Sequence, residues 1–195
     1  MVSETGWLPP ERFDAGAFVL RSFLPGDGVA LYEAIAESRA ALRPRMAWVD
    51  GHTDAEASER IARAQRARWL LHQDFTIGVF AADGATVLGG TGYHLREGPL
   101  EGGQAEMGMW IRASRHGQGL GTEVLRALLR WGFSPAWGWL RLAWRCDANN
   151  LASRRVAEKA GLHREGVLRH HARATKDGAP QDTWCFAALA SEARP

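Results

Sequence analysis

Residues 105–133 read AEMGMWIRASRHGQGLGTEVLRALLRWGF, and two periodicities meet inside that stretch. Ala105 to Arg112 has the short apolar character of a buried strand, and Gly119 to Phe133 carries Leu120, Val124, Leu128 and Trp131 at helical spacing. Between them lies Arg115-His-Gly-Gln-Gly-Leu-Gly-Thr122. Gly117, Gly119 and Gly121 let the backbone pass close to a ligand. The helix that follows aims free N–H groups and the positive end of its dipole at the same place. Such a strand–turn–helix is suited to holding a pyrophosphate. Its spacing is neither the GxGxxG of a dinucleotide fold nor a P-loop, which needs Gly-Lys-Ser/Thr.

Outward from this unit, Phe18 to Phe23 reads as a strand followed by the turn Leu24-Pro-Gly-Asp27. Asp27 is placed to cap a helix running to about Ser38. A loop with Pro44, Trp48 and Gly51 precedes an Arg-rich helix opened by Thr53 or Asp54 and ending near Leu71. Phe75–Ala81 and Thr86–Leu95 read as strands of a hairpin turning at Asp83-Gly84. Trp139–Cys146 is a strand, Asn150–Ala160 a helix, and His163–Ala174 and Asp182–Leu189 are closing strands. The order β-α-α-β-β-β-α-β-α-β-β mixes hairpins with crossovers. It predicts one mixed α/β domain, not a doubly wound parallel sheet.

Composition narrows the function classes. The 195 residues are 46% hydrophobic and 24% charged, enough for one globular domain with a full core. No apolar run approaches membrane-spanning length, and MVSETGWLPPERFD lacks the basic and apolar regions of a signal peptide. Cys146 and Cys185 have no CxxC spacing and cannot frame a disulfide scaffold or a zinc knuckle. A cytoplasmic location fits. The 24 basic residues against 22 acidic ones give no excess that would track nucleic acid. Only Lys159 and Lys176 among the basic residues are lysine, a bias that reads as genome composition. His170 and His171 do not suggest a metal, because neighbours on a strand point to opposite faces. Arg60, Arg63, Arg66 and Arg68 read as a solvated helix face, with an acidic partner as the alternative.

Asn150-Leu-Ala-Ser-Arg-Arg-Val-Ala-Glu-Lys-Ala-Gly-Leu162 adds a second motif, with Asn150 at a helix N-cap, Ser153 one turn in and Gly161 at the C′ position. Taken with HGQGLGTEVL, AEMGMWI, FVLRSFLPGD and DTWCFAAL, it resembles the GNAT superfamily of acetyl-CoA-dependent N-acetyltransferases. The closer likeness is to the RimJ/RimL-type branch that acetylates protein N-termini. The resemblance covers nearly the whole chain and treats residues 1–14 as an N-terminal extension. It implies a mostly antiparallel sheet opened by a splayed parallel strand pair, with about four helices around it. Acetyl-CoA would thread that gap with its pantetheine paired to the backbone of Trp110, Ile111 and Arg112. Its pyrophosphate would rest on Gly117, Gln118, Gly119, Leu120, Gly121 and Thr122, with Asn150 near the pantetheine arm.

The chain departs from the family pattern in three places: His116 begins the turn, Ala157 replaces a tyrosine that many members use as the acid, and Leu162 replaces a phenylalanine. Without that tyrosine, Ser153 is the candidate donor to the leaving sulfur, and Glu106 the candidate base. Neither cysteine lies in an activating motif, so transfer is direct. Trp48, Tyr93 and His94 would flank the acceptor mouth. An α-amine, of pKa about 7.8, is roughly one-third neutral at pH 7.5, whereas a lysine amine is about 0.1% neutral. That favours a protein N-terminus as acceptor. A small amine such as an antibiotic or polyamine is the alternative, and a non-catalytic acyl-CoA-binding module is the rival from another class. No metal is called for, and a homodimer is compatible with the sequence.

Overall fold

A computed structural model describes residues 7–174 and 177–192. Its eight strands are β1 (Arg12–Asp14), β2 (Phe18–Ser22), β3 (Phe75–Ala81), β4 (Val87–His94), β5 (Gln104–Ile111), β6 (Arg141–Asp147), β7 (His163–Arg173) and β8 (Pro180–Leu189). The helices are α1 (Gly28–Leu42), α2 (Ala55–Leu70), α3 (Leu120–Gly132) and α4 (Leu151–Ala160). One sheet holds all the strands in the order β1-β2-β3-β4-β5-β6-β8-β7. Every neighbouring pair is antiparallel except β5–β6. That is the mixed sheet with a central parallel pair which the resemblance implied.

Alternation along the strands sorts the core. Ile77, Val79, Tyr93 and Met107 pack with Val124, Leu125 and Leu128 of α3. Val19, Phe23, Phe80 and Val87 pack with Leu31, Ile35 and Leu42 of α1. Residues 7–14 are part of this body rather than an appendage. Phe13 stacks on Trp131 at 5.7 Å, and Trp7 meets Phe75 and Trp137 edge-on.

Helix starts divide into local and tertiary solutions. Asp54 and Asn150 cap α2 and α4 with their own side chains, accepting from Ala57 N and Ser153 N. Asp27 does not cap α1. Its carboxylate instead accepts two bonds from the Arg21 guanidinium, at 2.7 and 2.9 Å, and one from Leu24 N–H at 2.7 Å. The first orphan donor of α1, Gly28 N–H, and the preceding Gly26 N–H are met from α2, where the Glu59 carboxylate accepts both at 3.0 Å. A Cβ at Gly28 would sit 2.5 Å from that of Glu59, so only glycine admits this contact. The helix then runs past Ser38 to Leu42. Ser38 is buried and spends its hydroxyl on Ala34 O and Ala113 N–H rather than on ending the helix.

Tyr93 corrects one reading. It is fully buried on the α3 face, and its hydroxyl donates to Leu128 O at 2.6 Å. Its neighbour His94 faces the other side of the sheet, as strand alternation requires. Tyr93 is a core residue, not an acceptor wall. Tyr93→Phe removes one buried hydrogen bond and little packing. We expect the urea unfolding free energy to fall by about 1 kcal/mol, with the opposite face of the sheet unaltered.

Candidate active site

The parallel pair is short. β5 and β6 are registered only from Gln104↔Arg141 to Met107↔Trp144. Beyond that point β5 stays paired with β4 as far as Gly89↔Ile111, and β6 stays paired with β8 as far as Asp147↔Thr183. Each strand is held by its outer neighbour, so the two can part without losing the sheet. The gap leads into a cleft of about 1630 Å³. Gly117, Gly119, Gly121, Thr122, Asn150 and Ser153 line one part of it; Trp48, His94, Arg96, Glu106 and Trp110 line another.

Alternation also decides which backbone groups face the gap. Arg112 N–H donates to Leu88 O of β4 at 2.8 Å. With a period of two, the backbone of Trp110 also faces β4, and that of Met109 and Ile111 faces the gap. Of the expected Trp110, Ile111 and Arg112, only Ile111 presents its backbone to the gap, joined there by Met109, while Trp110 and Arg112 face β4. The Arg112 side chain turns away to α1, bonding Glu37 at 2.6 Å. Trp110 reaches the cleft through its indole, which lies over Gly90; a Cβ there would sit 2.5 Å from the indole nitrogen.

The glycine turn has the predicted form. Gly117 and Gly119 adopt φ of +73° and +83°, a region costly for other residues, and both have open space where a side chain would project. Thr122 and Glu123 N–H both bond Gly119 O. Among the described residues no acceptor takes the N–H groups from Gly117 to Gly121. The turn is braced by its own side chains: His116 Nε2 lies 2.7 Å from Ile111 O and must donate to it, and Gln118 Nε2 donates to Ser114 O. His116 and Gln118 thus act on the loop rather than on a ligand. An amide-lined turn at a helix start, with its side chains folded back onto its own backbone, fits the pyrophosphate of acetyl-CoA.

The loop is also tied to α1. Glu37 accepts from Ser114 N–H at 2.8 Å and from the Arg112 guanidinium. Bonds from the Ser114 hydroxyl and from Arg112 hold its carboxyl down at about 2.

Ser153 stands on the first turn of α4, and its Oγ lies 3.1 Å from Trp144 Nε1. An indole N–H only donates, so Oγ is the acceptor there, and its hydroxyl also lies against the Cys146 thiol, whose upward push by burial it partly offsets. Asn150 spends Oδ1 on Ser153 N–H, leaving its amide NH₂ for the cleft. Glu106 is buried at the far side, where Oε1 accepts from Arg96 at 2.6 Å and Oε2 from Arg145 at 3.1 Å. Its registered partner on β4 is His94. The His94 ring meets Asp74 through Nδ1 at 2.7 Å, and Thr76 bonds the other oxygen of that carboxylate. Trp48, 45% exposed, stands 6.0 Å from Trp110 and 5.7 Å from His52. Burial, then the Arg39 charge, push His52 down to about 4, so this wall is uncharged near neutral pH.

The family model for the acetyltransferase (GNAT) domain matches residues 18–163. The chain belongs to the GNAT acetyltransferase family. A probable N-acetyltransferase of Bacillus subtilis, YjcK, is 27% identical over 125 residues, which are 62% of this chain. The match spans 65% of that relative's length, just under two thirds. The ribosomal L7/L12 α-N-protein acetyltransferase RimL, solved with coenzyme A, superposes with a TM-score of 0.82 at 18% identity, over 94% of this chain and all of that one. Mycobacterium smegmatis RimJ, solved with a CoA disulfide, gives 0.80 at 24% identity over 96% of this chain and 90% of its own.

As a GNAT acetyltransferase, the protein carries its glycine turn, Asn150, Ser153, Glu106, Trp48 and His94 on one cleft, and leaves Tyr93 and the Arg112 side chain outside it. Three of the four helix arginines are ion-paired, Arg60 to Glu56, Arg63 to Glu59 and Arg66 to Glu11, each at 2.6 Å, while Arg68 lines the cleft. Sequence reading missed Met109, Asp74 and the arginines on Glu106. Period-two counting from Arg112 would have found Met109. Asp74 has no local signal, because β3 to β4 pairing alone brings it to His94.

Two tests follow from this geometry. Gly119→Asp adds a like charge beside the pyrophosphate at a positive-φ position, and should weaken acetyl-CoA binding in calorimetry by tenfold or more, about 1.4 kcal/mol. At Gly121 a Cβ would meet Val156 at an ordinary 3.5 Å, so Gly121→Ala should bind within a few-fold of the parent. The depressed Glu37 carboxyl stabilises the folded chain fully above its ordinary value of 4.5, and that contribution is lost as pH falls towards 2. Glu37→Gln should therefore show a shallower loss of urea midpoint than the parent across that window.

Proposed function

We propose that the protein transfers the acetyl group of acetyl-CoA directly to an amine, and that the acceptor is a protein N-terminal α-amine. One observation carries this reading. The amide-lined turn, the backbone-edged gap and a polar floor with the half-buried Asp74–His94 pair lie on a single continuous cleft. The chemical parts then have distinct places. The turn at Gly117–Gly121 receives the pyrophosphate. The gap-facing groups of Met109 and Ile111 pair with the pantetheine, and an N–H there is a suitable donor for charge on the thioester oxygen. Ser153 Oγ–H hydrogen-bonds the sulfur as the C–S bond breaks. A thiol resembling that of cysteine, pKa about 8.5, leaves readily, so a hydroxyl suffices.

Only a neutral amine attacks a thioester. The α-amine meets that demand near neutral pH far better than a lysine amine does. The reading is supported by the fold likeness to RimL and RimJ, whose described activity on a ribosomal protein is that of RimL itself. The proton leaves towards the facing floor residues His94 and Glu106, whose partners distinguish their roles.

The decisive assay offers acetyl-CoA with peptides of free N-terminus, the same peptides N-blocked but carrying lysine, and small amines such as spermidine and an aminoglycoside. Acetylation of the free α-amine alone is expected. Acetylation only of the small amines would replace the acceptor class, and binding of acetyl-CoA with no turnover on any amine would leave a binding module. Ser153→Ala should lower kcat by about a hundredfold or less, with acetyl-CoA affinity unchanged within a few-fold.

A further inference from the structure

His94 and Glu106 are registered partners on β4 and β5, and they face the same side of the sheet as Gly90, Gly92, Gly108 and Trp110. The glycines give that side a bare floor. A Cβ at Gly92 would lie 3.1 Å from His94 Nε2, and one at Gly108 would lie 3.6 Å from it. The imidazole therefore lies along the floor, held at Nδ1 by Asp74 and with Nε2 turned to the cleft. No hydrogen bond from a described residue reaches Nε2.

The two candidates for the proton differ in what already surrounds them. Glu106 is buried and each oxygen accepts a guanidinium N–H, from Arg96 and from Arg145, while Arg145 also pairs with Glu97 at 2.7 Å. A proton arriving on Glu106 would enter a set of donors and displace charge-assisted bonds. His94 has the opposite arrangement. Asp74 accepts Nδ1–H, which fixes the neutral tautomer with its lone pair on Nε2, and the same carboxylate stabilises the ring once it is charged. Burial pushes the Asp74 carboxyl up, but bonds from His94 and Thr76 and the charges of His94 and Arg96 bring it below its ordinary value. The charged groups around the pair are Asp74, Arg96 beyond the end of β4, Glu106 of β5, Arg145 of β6 and Arg68 of α2, all lining the cleft.

Resting on the amine-acetylation reading, we propose that His94 is the general base of the transfer, with Asp74 as its positioning residue and Glu106 as the anchor of Arg96 and Arg145. The neutral amine nitrogen forms its bond to the thioester carbon. Its extra proton passes to His94 Nε2, the C–S electron pair leaves on sulfur beside Ser153 and is protonated from solvent, and the imidazolium returns its proton to solvent through the open cleft.

The test joins kinetics to a spectroscopic readout that needs no turnover. In ¹⁵N NMR of the full chain with acetyl-CoA, His94 should show the Nδ1–H tautomer at neutral pH. Asp74→Asn, whose amide can donate to Nδ1, should shift it towards Nε2–H. A parent ring already held as Nε2–H would overturn the proposal whatever the activity. His94→Gln should lower kcat/KM on an α-amine peptide by about a hundredfold at neutral pH. It should also recover as pH rises and solvent supplies the neutral amine, while acetyl-CoA affinity stays within a few-fold. Glu106→Gln should lower the rate but keep the parent's pH dependence. A His94→Gln profile parallel to the parent, with the dependence lost in Glu106→Gln instead, would give the role to Glu106. Failure of the amine reading appears separately, as a parent chain that shows the Nδ1–H tautomer yet acetylates no amine.

Discussion

The separation of β5 from β6 after Met107 and Trp144 is the constraint on which the rest of the molecule depends. A parallel pair in mid-sheet ordinarily satisfies both backbones, and a buried N–H or C=O without a partner costs about as much as a lost hydrogen bond. Here that cost is contained in two ways. The outer ladders β4–β5 and β6–β8 run the full length of the gap. His116 closes one of the open groups by donating to Ile111 O. What remains open, chiefly around Met109, is an edge inside a protein, which a ligand with amide groups of its own can complete.

Both helices after the central strands exploit the same opening. α3 starts at Leu120 directly behind Gly119, whose left-handed φ of +83° turns the chain into the helix. Its first amides are then left facing the cleft. α4 starts at Asn150 immediately after β6, so Ser153 is delivered to the gap by the helix's first turn. Glu37 and Ser38 of α1 hold the intervening loop at Arg112–Ser114 from outside. The glycine turn is therefore held by bonds from Glu37 and Ser38 of α1 and from its own His116 and Gln118.

The acceptor side is built on different physics. Glycines at 90, 92 and 108 clear the floor; Arg96, Arg145, Glu97 and Glu106 form a compensated set of charges, and the Asp74 carboxylate is bonded to the His94 ring. A buried carboxylate is tolerable when its oxygens accept from guanidiniums. Both Glu106 oxygens are therefore engaged by arginines, whereas His94 is held at Nδ1 alone.

The division between sequence and tertiary structure follows from the range of the forces. The sequence alone determined the elements other than β1 at Arg12–Asp14, which it read as part of an extension, and the glycine turn, because strand alternation, helical spacing, the Asp54 and Asn150 caps and positive-φ glycines are local effects within a few residues. It also placed Ser153, whose position follows from the start of one helix. It misassigned Asp27, Tyr93 and the gap-facing backbone. Asp27 has a capping residue's chemistry but was claimed by Arg21, and Glu59 from another helix took its place. Tyr93 and His94 are adjacent in the chain and opposite in the fold, since a strand's two faces can be told apart only when something packs on them. The Asp74–His94 pair and the arginines around Glu106 join residues from separate strands and loops. Which of them meet depends on the strand register and on the divergence of β5 from β6, which only the assembled sheet decides.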